Sequence, residues 1–222
     1  QLRHNYIPAP YSIYEGIAKL LPGSLLTVSL QQPEPKVWTY WSGAQVVESG
    51  VANEFVGSAD QAVDKLEVLL KSVVRNQMMA DVPLGAFLSG GVDSSAIVAL
   101  MQAQSSQPVK TFTIGFNEEG YNEAVHAKAV AKHLGTDHTE LYVTDEQVRA
   151  VIPLLATLYD EPFSDSSQIP TFLVSQLARQ HVTVSLSGDA GDELFCGYNR
   201  YQITANLWWK LAIVPMPLRK LA

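Results

Sequence analysis

A short apolar strand, followed by a glycine turn and a helix, constrains the fold of this chain most strongly. Residues 84–88 form an apolar run that suits a buried strand, and residues 96–101 are mostly strong helix formers. Between them, positions 89–95 read Ser-Gly-Gly-Val-Asp-Ser-Ser. Two glycines allow a tight turn that brings backbone N–H groups close to a ligand. Because a helix N-terminus favours anions, the segment predicts a phosphate-binding turn.

This turn is not of the Walker type, because no lysine follows its glycines. Asp93 and the serines suit the first turn of the helix, where side-chain oxygens can accept from free N–H groups. The whole string resembles the pyrophosphate loop of the ATP pyrophosphatases, which release AMP and pyrophosphate. The resemblance implies ATP as the ligand.

Composition and charge exclude several classes of protein. The chain has 222 residues, of which 47% are hydrophobic and 17% charged, as in globular domains. The net charge of −7 argues against general nucleic-acid binding. Cys196 is the single cysteine, so no internal disulfide forms and a reducing compartment is favoured. With no leader pattern and no long apolar run, we expect a cytoplasmic protein without a membrane partner.

The chain shows three regions. Residues 1–41 are rich in proline and glycine with short apolar pieces, and they suggest the β-rich end of another domain. Residues 42–57 are polar, contain glycine, and predict a linker. From residue 58 to residue 222, helical and strand patterns alternate.

The alternation predicts an α/β fold. Strands are predicted at 84–88, 110–116, 138–143 and 182–186, and helices at 58–74, 93–101, 122–134, 144–159 and 171–180. Ser58 with Gln61 forms a possible capping box, Gly135 a possible helix end, and Pro153 a possible bend. Such alternation predicts a parallel sheet with helices on both faces. Right-handed crossovers then gather the carboxyl ends of the strands on one edge, where ligands bind.

A second glycine-containing segment follows the predicted strand at 182–186. Positions 187–193 read Ser-Gly-Asp-Ala-Gly-Asp-Glu, with three carboxylates in five residues. Carboxylates beside a phosphate site repel the ligand unless a cation intervenes, and Mg²⁺ bound by one or two carboxylates and phosphate oxygens is the natural solution. Asp93 and Asp192 are the predicted metal ligands. The alternative is that Asp189 and Asp192 only cap the next helix.

Together these motifs resemble the synthetase domain of the glutamine-hydrolysing asparagine synthetases. The resemblance rests on residues 88–95, 111–116, 131–138, 160–167 and 186–198, within a match from about 58 to 201. Residues 6–10, 21–23 and 40–41 resemble the end of that family's N-terminal glutaminase domain, a class II glutamine amidotransferase. Ala190 and Cys196 stand where the family usually has glycine.

The resemblance implies specific roles for residues of this chain. Residues implied in ATP binding are Leu88, Ser89, Gly90, Gly91, Asp93, Ser94, Ser95, Ile114, Ser187 and Gly188. Asp189 occupies the position of a family glutamate and is the implied catalytic proton acceptor. Asp165 and Ser166 are implied to contact aspartate or pyrophosphate, with an N-cap for the helix that follows as the alternative.

The fold implied is that of the adenine nucleotide alpha hydrolases, and the reaction implied joins aspartate with ammonia from glutamine. ATP activates aspartate as β-aspartyl-AMP, and asparagine, AMP and pyrophosphate are the products. Three alternatives stay open: an amidotransferase for another carboxylate, a β-lactam synthetase-like enzyme, and a non-catalytic nucleotide-binding module. The resemblance implies a catalytic cysteine that this sequence lacks, so we expect no glutamine hydrolysis by the isolated chain. It also implies a basic residue beyond Ala222, so we expect weak nucleotide binding and little or no synthetase activity from this chain alone. A homodimer is a further option.

Overall fold

The computed structural model describes residues 1–116 and 122–213, so the end of the predicted 58–222 domain, residues 214–222, lies outside the described residues. The chain divides into two compact units, residues 1–69 with 145–172, and residues 70–144 with the chain from 173 onward. The strands are β1 (Ser24–Ser29), β2 (Gln32–Thr39), β3 (Leu84–Phe87), β4 (Lys110–Phe116), β5 (Asp137–Val143) and β6 (Val184–Leu186). The helices are α1 (Gly43–Ala52), α2 (Ala59–Gln77), α3 (Val92–Gln102), α4 (Ala124–Leu134), α5 (Asp145–Val151), α6 (Leu155–Leu158), α7 (Gln168–Arg179), α8 (Gly191–Phe195) and α9 (Asn199–Ala212). Within the described part, no helix combines the length and apolarity needed to cross a bilayer.

The first unit begins with an antiparallel hairpin. Ser24 of β1 pairs with Thr39 of β2, and both strands are almost entirely exposed. Helix α1 lies inside the stretch that the sequence predicts as a linker. The assignment of residues 1–41 to a glutaminase domain stays a prediction, as do the domain boundaries.

Helix α2 begins with the predicted capping box. The Ser58 N–H donates to Gln61 Oε1 at 3.0 Å, and the Gln61 N–H donates to Ser58 Oγ at 3.2 Å. Two N–H groups that the helix leaves unpaired are thereby satisfied reciprocally.

The predicted single helix from 144 to 159 is wrong. Helix α5 ends at Val151, a 3₁₀ turn covers Ile152–Leu154, and α6 is only one turn long. Pro153 explains the break, because proline lacks an N–H and its ring clashes with the preceding turn of an α-helix.

The second unit contains the predicted parallel sheet, with strand order β5-β4-β3-β6. Gly85 of β3 pairs with Lys110 of β4 on one side and with Ser185 of β6 on the other. Strand β4 has the predicted bounds, whereas β6 starts two residues later than predicted. Helix α4 ends at Gly135, whose φ of +73° is the left-handed conformation expected of that cap.

Helices cover both faces of this sheet, which confirms the predicted α/β arrangement. On one face Ala86 and Leu88 pack with Val74 of α2 and with α3 and α4. On the other face Phe112 packs with Leu177 and Ala178 of α7. Burying a leucine or phenylalanine side chain contributes about 1.5–3 kcal/mol, so these clusters fix the sheet that carries the loops.

The strand order places a topological switch point beside β3. From β3 the chain moves to β4 and β5 on one side, and then returns across the sheet to β6 on the other side. Ligands bind at such points, beyond the carboxyl ends of the strands. The two predicted glycine segments follow β3 and β6, the two strands that meet there.

Candidate functional site

The first loop, residues 88–95, joins β3 to α3 through a left-handed glycine. Gly90 has φ +82°, and a methyl group on it would lie 2.6 Å from the backbone nitrogen of Ala127 in α4. Only glycine fits, because its backbone takes this conformation freely and nothing projects toward α4. The loop is therefore held against a neighbouring helix.

Ser94 holds the first loop together from inside. Its hydroxyl lies 2.9 Å from Ser89 Oγ, accepts from the Ser89 N–H at 3.2 Å, and lies 3.3 Å from the Gly91 carbonyl. The Gly91 N–H in turn donates to Ser89 Oγ at 3.2 Å. Ser94 is buried, so this predicted ATP-binding residue has a structural task in the loop.

The start of α3 offers donors to an anion. The N-cap is Gly91, which supplies no side-chain acceptor for the first N–H groups of the helix. Ser95 Oγ is buried there and has no hydrogen-bond partner among the described residues. An unpaired buried hydroxyl at a helix N-terminus fits a bound phosphate oxygen.

The second loop, residues 187–193, joins β6 to the short helix α8 through a strained residue. Ala190, the N-cap of α8, has φ +72°, and Cys196, its C-cap, has φ +57°. Residues with a Cβ rarely adopt this conformation, which costs them about 1–2 kcal/mol. Both are positions where the resembling family usually has glycine, and the left-handed backbone explains that preference.

Glycines bring the second loop against the first. A methyl group on Gly188 would lie 2.6 Å from the Ser94 backbone nitrogen and 2.8 Å from the Asp93 carbonyl carbon. The backbone of Gly191 lies against the Asp93 carboxylate. The structure thus brings together Asp93, Ser94 and Gly188 at the switch point.

Asp189 is tied to its own loop. The Ser187 hydroxyl donates to Asp189 Oδ2 at 3.0 Å, and the Asp189 N–H donates to Ser187 Oγ at 3.4 Å. Helix α8 has Ala190 as N-cap and no side-chain cap bond, so the structure does not support the alternative in which Asp189 caps the helix.

The two predicted metal ligands come from different loops. The Asp93 carboxylate faces the backbone of Gly191, and Asp192 follows directly, its own carboxylate lying over Gly197. No cluster of three or more His, Cys, Asp or Glu side chains arranged for a metal occurs in residues 1–116 and 122–213. Two carboxylates from facing loops still match Mg²⁺, which takes its remaining ligands from phosphate and water.

The remaining predicted contacts lie in two places. In the second unit, Leu88 is buried in the core and donates its N–H to the Phe112 carbonyl at 2.9 Å, while Ile114 lies on β4, partly buried. Asp165 and Ser166 lie in the first unit. Asp165 Oδ1 accepts from the Ser167 N–H at 2.8 Å and from its hydroxyl at 2.7 Å, bonds that lower the pKa of Asp165. This turn before α7 matches the capping alternative, and a substrate role for Asp165 stays a prediction.

Sequence reasoning missed the aromatic and basic groups that follow the second loop. The Tyr198 hydroxyl donates to Glu193 Oε1 at 2.8 Å, a bond that raises the pKa of Tyr198. The Arg200 guanidinium lies 4.1 Å from the centre of the Tyr198 ring. The sequence signal for this contact is a tyrosine and an arginine two positions apart, Tyr198 and Arg200, after three carboxylates. This pattern is too common to predict that the guanidinium stacks on the ring.

Comparisons with known proteins match most of the chain, and the range matched by the family model includes both loops. The family model described as asparagine synthase matches residues 65–222. A Methanocaldococcus jannaschii protein, whose name assigns it to the glutamine-hydrolysing asparagine synthetases, is 38% identical over 87% of this chain and 36% of its own length. Asparagine synthetase 1 of Bacillus subtilis is 34% identical over 89% of this chain and 30% of its own length. The human asparagine synthetase is 32% identical over 61% of this chain and 25% of its own length. The chain spans about a third of the length of the first two relatives.

Proposed function

The chain belongs to the asparagine synthase family, and we propose that it forms the nucleotide-binding part of an ATP-dependent amidoligase. In the proposed reaction, ATP activates the β-carboxylate of aspartate, and ammonia from glutamine completes asparagine. The observation that carries this proposal is the packing of Gly188 on the backbone of Asp93 and Ser94. It joins two loops, one with open N–H donors and one with carboxylates, at the end of adjacent parallel strands.

We propose that the phosphates of ATP occupy the start of α3. Ser89, Gly90, Gly91, Ser94 and Ser95 form that turn, and the buried Ser95 hydroxyl, which has no hydrogen-bond partner among the described residues, is the proposed donor to a phosphate oxygen. Leu88, Ile114 and the backbone of Gly188 then flank the adenosine, as the family resemblance implies, and Ser187 orders the loop beside it.

Asp93 and Asp192 are the proposed ligands of Mg²⁺. When bound, the cation offsets the negative charge that develops on the departing pyrophosphate. The chain itself would contribute the two carboxylates, Asp93 from the start of α3 and Asp192 from the second loop, whose Gly191 lies against the Asp93 carboxylate.

The proposed reaction has two steps. A β-carboxylate oxygen of aspartate attacks the α-phosphorus, and the bond from that phosphorus to pyrophosphate breaks. Ammonia then attacks the activated carbonyl carbon, and AMP leaves with the carboxylate oxygen. Asp189 is the proposed acceptor of the proton that the nitrogen releases.

A second candidate is the same ligation with another carboxylate, either between molecules or closing a β-lactam ring. Asp189 favours it, because this side chain is one methylene shorter than the family's glutamate and is held by Ser187. A non-catalytic nucleotide-binding module is the third option, and it binds ATP without turnover.

The test uses the full-length protein with ammonia or glutamine. We expect AMP and pyrophosphate to form when aspartate is present. Turnover that does not need aspartate but needs another carboxylate favours the second candidate, and Mg-ATP binding without turnover favours the third.

Asp93→Ala and Asp192→Ala should each weaken Mg-ATP binding at least tenfold in calorimetry. The exposed Asp81→Ala is the matched control, and unchanged binding in both site variants contradicts the metal assignment.

The remaining proposals concern the whole protein. Residues 1–41 are proposed to be the end of a glutaminase domain that supplies the ammonia, and the cytoplasm is the proposed location. Sequencing of the gene on either side of this chain tests the proposed glutaminase domain. A codon for cysteine directly after the initiator methionine would support that domain.

A further inference from the structure

Within the first unit, a lysine from the start of the chain pairs with a glutamate far along the sequence. Lys19 Nζ forms an ion pair with Glu161 Oε2 and donates to the Ile7 carbonyl at 2.6 Å. The other oxygen of the carboxylate, Glu161 Oε1, accepts the Ile13 N–H at 2.9 Å. Both oxygens of Glu161 are therefore bound by the N-terminal segment, residues 1–19.

Two further hydrogen bonds extend this contact to Asp160, before Glu161, and to Ser164, three residues after it. The Tyr14 hydroxyl donates to the Asp160 carbonyl at 2.9 Å, and the Ser164 N–H donates to the Asn5 carbonyl at 2.7 Å. The first half of the 160–167 loop is thus held by the N-terminal segment.

Local bonds hold the second half of this loop. Ser167 donates twice to Asp165 Oδ1, and Gln168 Nε2 donates to the carbonyls of Phe163 and Asp165 at 3.0 and 2.9 Å. Asp165 follows Ser164 directly, so a shift of Ser164 moves Asp165. Its position therefore depends on both sets of bonds.

Substitution of Lys19 removes the cationic partner of the Glu161 carboxylate, which is largely shielded from solvent. The Glu161 side chain is 14% exposed, and the Lys19 hydrogen bond holds the pKa of Glu161 below its ordinary value. Without the ammonium, a partly buried charge loses its partner, which is more costly than losing an exposed ion pair. The loop then relaxes toward solvent.

We propose that Lys19 and Glu161 are positioning residues that set the 160–167 loop for binding of the acceptor carboxylate. This rests on the proposed function and on the prediction, from the family resemblance, that Asp165 and Ser166 contact that substrate. The N-terminal segment thereby becomes a determinant of acceptor affinity, although it lies outside the nucleotide-binding unit.

Steady-state kinetics of the full-length protein with ammonia tests the functional side. Lys19→Met and Glu161→Gln should each raise KM for the acceptor about tenfold while KM for ATP stays within about twofold. Lys19→Arg should recover most of the affinity, because the guanidinium keeps the charge and donors. The double variant should be no worse than either single variant, because both remove one interaction. Lys36→Met, at an exposed position of β2, is the matched control.

A KM for acceptor that matches the Lys36→Met control overturns the proposal, and so does an equal rise in both KM values. Hydrogen exchange without substrate separates this proposal from the proposed function. The amides of Ser164 and Ser167 should exchange at least tenfold faster in Lys19→Met, while the Leu88 amide, bonded within the sheet, should not change. Unchanged exchange at Ser164 contradicts the positioning role even in an active enzyme. If the wild type uses no carboxylate, the proposed function fails, and the exchange result alone decides whether Lys19 sets the loop.

Discussion

Each of the two loops at the switch point leads from a strand into a helix through a residue with a left-handed backbone, but the residues that they use for this differ. The first loop places glycine at its left-handed position, Gly90, and fills its interior with hydroxyl bonds centred on Ser94. The second loop places Ala190 at its left-handed position, leads into a helix of five residues, and carries carboxylates. The first loop is thus a hydrogen-bonded turn in which the left-handed residue is strain-free. The second stores strain beside the residues with proposed chemical roles, as functional sites often do.

The largest expected effect tests how rigidly the first loop is held. Gly90→Ala combines a left-handed alanine with a methyl group 2.6 Å from the Ala127 nitrogen, and should destabilise the protein by about 4 kcal/mol. Gly135→Ala has a similar φ of +73° but open space around it, and should cost about 1 kcal/mol. Pulse proteolysis of the full-length protein in urea measures both. If both variants lose the same free energy of unfolding, Gly90 is not in close contact with α4.

The next effect tests whether the second loop depends on the first. Gly188→Ala places a methyl group against the Ser94 nitrogen and should cost about 2–3 kcal/mol and weaken Mg-ATP binding more than tenfold. Gly91→Ala meets only the Ser89 hydroxyl at 3.3 Å and should change stability by less than about 1 kcal/mol. If Gly188→Ala binds Mg-ATP as tightly as the wild type, the two loops do not form one nucleotide site.

A smaller effect separates the hydroxyl that bonds within the first loop, Ser94, from the buried hydroxyl that has no partner among the described residues, Ser95. Ser94→Ala leaves the Ser89 groups without their partner and should cost about 1–2 kcal/mol. Ser95→Ala removes a hydroxyl that has no partner in the described residues, and should be nearly neutral without nucleotide. Urea midpoints without ATP distinguish them, and a larger loss for Ser95→Ala reverses the assignment.

The smallest effect has the opposite sign and concerns the second loop. Ala190→Gly and Cys196→Gly should each stabilise the protein by about 1 kcal/mol, because glycine relieves the left-handed backbone. Ala62→Gly, inside α2, should instead destabilise by about 1 kcal/mol, since glycine costs entropy in a helix. Thermal unfolding shifts give the signs. Loss of stability in both loop variants means that the second loop is not strained.

Local patterns predicted much of the fold. Strand β4, the parallel sheet, the capping box of α2 and the Gly135 helix end follow from periodicity and turn chemistry within a few residues. Both glycine segments also lie at adjacent strand ends, as parallel crossovers require.

What could not be predicted depends on partners far apart in the chain. Gly90 reads as a flexible turn residue until α4 is known to pack on it. Lys19 reads as a solvated lysine, and its partner Glu161 belongs to a different segment. Ala190 has no local signal for a left-handed backbone, because alanine normally avoids it. Tertiary contacts decided the cases of Gly90 and Lys19.

The strand order also has a consequence for how the protein folds. Strand β6 is three residues long, and its Ser185 pairs with Gly85, one hundred positions earlier, whereas Lys110 reaches the same glycine after twenty-five. Both strands form three residue pairs with β3, so closing the longer chain costs more entropy for the same number of pairs. During synthesis, β3, β4 and β5 leave the ribosome first and can associate before β6 exists. We therefore expect the second loop to join a sheet in which β3, β4 and β5 are already associated, so that the two halves of the proposed nucleotide site meet only after those strands have paired.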